Sequence, residues 1–151
     1  MSARATLYES PDDLAREKAA IEQVSKRLGV TVEKMPTTSP VDFALMLGRR
    51  VVGWCEVKTR NKSMAEIESL GGFLINTGKL IAVKQLSEIS GKPFVLVLRA
   101  SDGLWWLKMK VAIDFVGSEI FVQGRRDRND PDDIETCACF PVTRFKPLGV
   151  T

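Results

Sequence analysis

The chain contains no histidine. This absence excludes Ser-His-Asp and Cys-His catalysis, His-ligated zinc, and every nuclease that uses histidine as general base or nucleophile. Any catalysis must run on carboxylates, Lys, Ser, Thr, Tyr or Cys, or on a hard metal ion held by oxygens. Cysteine is scarce too. There are three, an odd number, and Cys137 and Cys139 are spaced C-x-C. That gives neither a disulfide framework nor a zinc signature. No run approaches the ~20 apolar residues of a membrane-spanning helix, and MSARATLYES at the start lacks the apolar stretch of a signal peptide. A cytoplasmic setting is the expectation. Strong charge of one sign is also missing: 22 Lys and Arg stand against 19 Asp and Glu, a net +3. This permits a polyanionic partner without demanding one.

What is there suits an ordinary globular protein, with 44% hydrophobic and 27% charged residues. A length of 151 residues fits one domain, 1–151, since domains cluster at roughly 100–150. Residues 12–28, DDLAREKAAIEQVSKRL, read as a helix, capped by Asp12 or Asp13 after Pro11 and ended by Gly29. Leu14, Ile21, Val24 and Leu28 form its apolar stripe, and Glu17 lies within that stripe. A carboxylate on a core-facing stripe is costly unless something pairs with it. A short strand is expected at 30–35, a loop at 36–40, and a hairpin of strands 41–47 and 51–59. Residues 60–77 read as a loop with one short helix at 63–70. A helix at 79–90, stopped by Gly91, precedes strands 94–100 and 103–110. Next come a short segment near 111–123, the charged loop 124–133 and a last strand at 137–142. The order of elements makes this an α/β chain with a mixed sheet.

One stretch does not fit its surroundings. WCEVKTR (54–60) places Glu56 and Lys58 inside a strand whose other residues, Val51, Val52, Trp54, Cys55 and Val57, leave no polar face. Residues directly opposite in an antiparallel pair share a face. If residues 48–50 form the hairpin loop, Leu47 sits opposite Val51 and Asp42 opposite Glu56. Lys58, two further on, points the same way. A two-residue loop would turn Asp42 to the wrong face.

Two carboxylates that close resist joint ionisation. A Mg²⁺ ion would relieve this, since it takes carboxylate oxygens, waters and substrate phosphate. The Val57 carbonyl could add a ligand. Such an ion acidifies a bound water and polarises a phosphoryl oxygen. Lys58 beside it could orient that water or neutralise charge developing on phosphorus. The bland reading of Glu56 and Lys58 is the exposed face of an edge strand.

Asp42, then Glu56-x-Lys58, resembles the D…E-x-K signature of the PD-(D/E)XK nuclease superfamily. In resolvase-like and restriction-endonuclease-like members, E-V-K-T-R at this point is a familiar form, and residues 56–60 match it. The resemblance spans about residues 12–110 and implies an α-β-β-β-α-β restriction-endonuclease-like core, with 111–151 peripheral. It departs from the pattern in places: Val41, not Pro40, directly precedes Asp42, and the 60–77 insertion and everything beyond 110 have no counterpart in it. It implies a Mg²⁺-dependent deoxyribonuclease, with Mn²⁺ able to substitute, acting as an endonuclease on DNA that includes branched or structured forms, and working as a homodimer. Asp42, Glu56, the Val57 carbonyl and Glu17 would surround the metal. Lys58 would position water, and Lys79, on the inward face of its helix with Ala82, Val83 and Leu86, would meet the phosphate. Gln85, about 120° around the wheel from Lys79, is the weaker candidate for that role.

Arg49 and Arg50, with Arg60, Lys62 and Lys79, are candidate DNA-backbone contacts, although charge runs are usually solvated surface. Arg125, Arg126 and Arg128 are nearly neutralised by Asp127, Asp130, Asp132 and Asp133. Trp105 and Trp106 alternate faces on a strand and read as core. Two rivals stand beside the nuclease reading. One is a non-catalytic nucleic-acid-binding or protein-interaction module on the same fold. The other is a small-phosphoester hydrolase, which the basic clusters weigh against.

Overall fold

The fold is described from a computed structural model, which covers residues 11–109, 119–124 and 134–148. Helix α1 spans Pro11–Leu28. Pro11, Asp12 and Asp13 fall inside its first turn rather than ahead of it. Proline tolerates that turn, and the Asp12 carboxylate there favours the helix dipole. Strands β1 (Thr31–Lys34), β2 (Phe43–Leu47) and β3 (Arg50–Thr59) form an antiparallel meander. Helix α2 (Met64–Ser69) follows, with a capping box between Ser63 and Glu66.

Residues 73–76 are a strand, β4 (Phe73–Asn76), where a loop was expected. Four residues between glycines and a helix cap carry too little periodicity to be read as a strand in advance. Helix α3 (Thr77–Ser90) returns the chain to β5 (Phe94–Ala100), which pairs parallel to β3. Strand β6 (Gly103–Met109) turns back antiparallel. The chain finishes with β7 (Glu119–Gly124), β8 (Ile134–Phe140), a 3₁₀ turn at Val142–Arg144 and the short β9 (Lys146–Pro147). Most of the charged loop 124–133 and of the segment 111–123 lies outside the described residues.

The main sheet is mixed, in the order β1-β2-β3-β5-β6-β9, and a second sheet has the order β4-β8-β7. The α1-β1-β2-β3-α3-β5 succession is the restriction-endonuclease-like core. Helix α1 covers one face: Ala20 and Val24 pack with Cys55, Val57, Val95 and Val97. On the other face, α3 and the small sheet bring Leu80, Val83, Phe73 and Phe140 onto Leu96 and Leu98. Burying each such side chain contributes about 1.5–3 kcal/mol. Leu14, expected on the inward stripe, is 47% exposed, one turn beyond the end of the packed contact. Trp105 packs against one cluster and Trp106 against the other. All three cysteines are buried. Among the described residues no helix is long and apolar enough to cross a membrane.

Candidate active site

The pairing of β2 with β3 decides the site. At the hairpin tip Leu47 faces Arg50, not Val51, so the loop has two residues and not three. Left alone, that register would send Asp42 to the wrong side of the sheet. A bulge corrects it. Met46 pairs with Val51 but Leu45 pairs with Gly53, leaving Val52 as the extra residue. Beyond the bulge, Ala44 faces Trp54 and Phe43 faces Cys55. Asp42 therefore comes level with Glu56.

Glu56 is 2% exposed, and it is the largest polar side chain in the core. Its Oε1 accepts the Asp42 amide at 3.2 Å and lies 3.2 Å from Lys79 Nζ. Its Oε2 lies 3.3 Å from Lys58 Nζ. That approach is close enough for an ion pair but is off the hydrogen-bonding direction, so Oε2 has no hydrogen-bond partner among the described residues. Burial holds the Glu56 carboxyl above its usual value. Lys58 pulls it down, Asp42 pushes it up, and Lys79 pulls it down by charge and hydrogen bond. Burial, followed by the charges of Glu56 and Asp42, also pushes the Cys55 thiol up, which keeps it an inert core group.

Backbone direction supplies a further oxygen. The amides of Trp54 and Arg60 donate across to Pro93 and Arg99, on the β5 side. Carbonyls alternate sides along a strand, so the Val57 carbonyl points to the β2 side. The next rung there would come from the Val41 amide, which donates instead to Ser39 Oγ at 3.2 Å. The Val57 carbonyl thus faces the β2 side, where the Val41 amide donates to Ser39 instead.

Lys79 reaches Glu56 because α3 begins at Thr77 with Asn76 as its cap. Gln85 is exposed on the same helix, so Lys79 takes the place by Glu56. Glu17 is not brought to this group. It sits on the face of the sheet that α1 covers, 3.1 Å from Lys34 Nζ on β1. The apolar stripe of a helix says which side faces the sheet but not which face of the sheet receives it.

Among the described residues no three Asp, Glu or Cys side chains gather as a metal cluster. The donors at hand are two carboxylates and a carbonyl, with one carboxylate oxygen buried and without a hydrogen bond among the described residues. That set suits a hard divalent cation that keeps several waters. Arg60 and Lys62 follow β3 at this end, with Arg60 stacked 4.9 Å from the Phe73 ring. Arg50 begins β3 at its opposite end, with Arg49 in the turn before it, six and seven residues from Glu56, or about 20 Å at strand rise.

Sequence reasoning missed Asn76 and its neighbours on β8. The signal was an Asn three residues before Lys79, the spacing of a helix cap.

No curated protein matches the chain. A family model described as "Phage putative PDDEXK endonuclease" matches residues 3–148, nearly the whole length. Asp42, Glu56 and Lys58, brought together here, are the residues on which the resemblance to the D…E-x-K signature rests. The chain belongs to this PDDEXK endonuclease family, within the PD-(D/E)XK nuclease superfamily.

Proposed function

We propose that the chain is a divalent-metal-dependent deoxyribonuclease that cuts DNA internally, with Mg²⁺ as its metal and Mn²⁺ as a substitute. The observation that carries this reading is Glu56: a carboxylate 2% exposed, with one oxygen in an ion pair but without a hydrogen bond, beside a second carboxylate and two lysines. A buried acid this costly makes sense as half of a cation site. Asp42, Glu56 and the Val57 carbonyl would hold the ion. When bound, such an ion acidifies a water and polarises a phosphoryl oxygen.

The chain's own residues do the rest. Lys58 Nζ, on a side chain 37% exposed, orients the attacking water and faces the charge that grows on phosphorus. Lys79, 26% exposed, donates to a non-bridging oxygen of the scissile phosphate. Glu17, held by Lys34 on the far face, has no part in this reading. Arg60 and Lys62 contact the DNA backbone near the cut. Arg49 and Arg50 contact it at the hairpin tip, about 20 Å from the cut. Action as a homodimer on branched or structured DNA rests on the superfamily resemblance alone.

The test is cleavage of plasmid and branched DNA with Mg²⁺ or Mn²⁺. Glu56→Ala and Lys58→Ala should each abolish it, and unchanged cutting by either would sink the assignment. If calorimetry finds no divalent-metal binding that depends on Asp42 and Glu56, the non-catalytic binding module is the better reading. A shallow dependence of binding on salt would point to a small phosphoester substrate.

A further inference from the structure

Two parts of the chain have no place in the nuclease core: the insertion at 60–77 and the strands beyond 110. They meet at one point. Strand β4 ends at Asn76, and Asn76 pairs with Cys137 on β8. Its side-chain Oδ1 accepts the Lys79 amide at 3.1 Å. Its Nδ2 donates to Glu135 Oε2 at 2.7 Å. Beside it, Thr77 Oγ1 meets the hydroxyl and the carbonyl of Thr136.

The order of donors and acceptors is forced. A carboxylate only accepts, so Glu135 must face the NH₂ of Asn76. That leaves the amide oxygen for the backbone N–H of Lys79. Lys79 is the residue whose Nζ reaches Glu56 at 3.2 Å.

We infer that Asn76, oriented by Glu135, is a positioning residue for Lys79, and that the second sheet exists in part to aim the first turn of α3 at Glu56. The inference rests on the assignment of Lys79 to the active site. Asn76 itself touches neither Glu56 nor the reacting atoms in this scheme. It sets where the ammonium sits, and misplacing a catalytic group by about 1 Å can cost on the order of 100-fold in rate.

The experiment is a set of single-turnover cleavage rates in the full chain. Asn76→Ala should slow cleavage by about 10- to 100-fold. In a Lys79→Ala background the same change should cost little more, because Asn76 acts through Lys79. Asn76→Asp keeps the acceptor for the Lys79 amide but sets one carboxylate against another at Glu135, so it should also slow cleavage. Adding Glu135→Gln returns a donor to that contact and should restore the rate. An equal loss from Asn76→Ala with and without Lys79, or no rescue by the swapped pair, would overturn the inference. A second readout is independent of activity. The NMR signal of the Lys79 ammonium, immobilised on Glu56, should be visible in the parent and in the swapped pair, and lost in Asn76→Ala. If that pattern holds while the parent cleaves no DNA, the nuclease reading fails and the positioning stands. If cleavage is robust and Asn76→Ala leaves both rate and signal unchanged, the positioning fails and the nuclease reading stands.

Discussion

Asp42 stands level with Glu56 across the β2–β3 hairpin, with its amide 3.2 Å from Glu56 Oε1, although the turn joining those strands is one residue shorter than that facing requires. The bulge at Val52 makes up the difference. An irregularity about four residues from the site therefore absorbs the one residue by which the short turn and that facing disagree.

Deleting Val52 tests this directly. The pairs on either side of the bulge, Met46 with Val51 and Leu45 with Gly53, would then become consecutive rungs, and Asp42 would still face Glu56. Cleavage should survive the deletion, with stability lowered by about 1 kcal/mol for the lost Val52 packing. Adding one residue to the turn instead should leave the bulge and its register intact and cleavage near normal. Loss of cleavage in a folded Val52 deletion would show that the bulge does more than restore register.

Glu56 gives the metal-free protein a distinctive pH response. Its folded carboxyl titrates above the ordinary value of 4.5, chiefly through burial. The unfolded chain therefore ionises it more readily. The stability it contributes is fully present below pH 4.5 and is lost as pH rises through the folded midpoint. Glu56→Gln should remove that loss. Melting temperatures measured across pH without metal should show the variant gaining on the parent as pH rises. Two parallel curves would contradict the raised carboxyl.

Divalent metal should reverse the same penalty. Excess Mg²⁺ or Mn²⁺, at 100 times its dissociation constant, would stabilise the fold by about 2.7 kcal/mol. Asp42→Asn and Glu56→Gln should each abolish that gain. Differential scanning fluorimetry with and without metal reads it, and an equal metal-induced shift in both variants would place the ion elsewhere.

Gly72 couples the second sheet to the site. Its φ is +128°, and a Cβ there would lie 2.6 Å from the Phe140 carbonyl and 2.8 Å from Cys139 Sγ. Gly72→Ala is strained in backbone and clashes with backbone, so it should destabilise by about 2–3 kcal/mol. Because it loosens β4 against β8, it should also slow cleavage in the fraction that stays folded. Thermal denaturation and the cleavage rate of the same preparation check both effects.

The basic clusters divide by position. Arg60→Ala and Lys62→Ala should each flatten the salt dependence of DNA binding by about one phosphate contact. Arg49→Ala and Arg50→Ala, about 20 Å up the strand from Glu56, should leave the single-turnover rate near normal. A large rate loss from the Arg49 or Arg50 change would move the DNA path onto the hairpin tip.

The core order of helices and strands was legible because its signals are local. Apolar runs at 43–45 and 94–98 are buried throughout and the run at 51–57 is buried or half-buried, and Gly29 and Gly91 stop helices by their own backbone freedom. The Glu56–Lys58 oddity was legible for the same reason, since a charged pair in an apolar strand shows without any partner in view. Strand β4 was too short to register, and its pairing with β8 joins residues more than sixty apart.

Taken alone, then, the sequence determined the core elements, the identity of the charged residues and the absence of histidine chemistry. Only the tertiary structure decided which of those residues meet. Side-chain facing depends on register, and one bulged residue reverses it, which is why Asp42 reaches Glu56 by a route the loop length does not suggest. Helix periodicity leaves open which face of the sheet a helix covers, which is why Glu17 ends with Lys34 and Lys79 ends with Glu56.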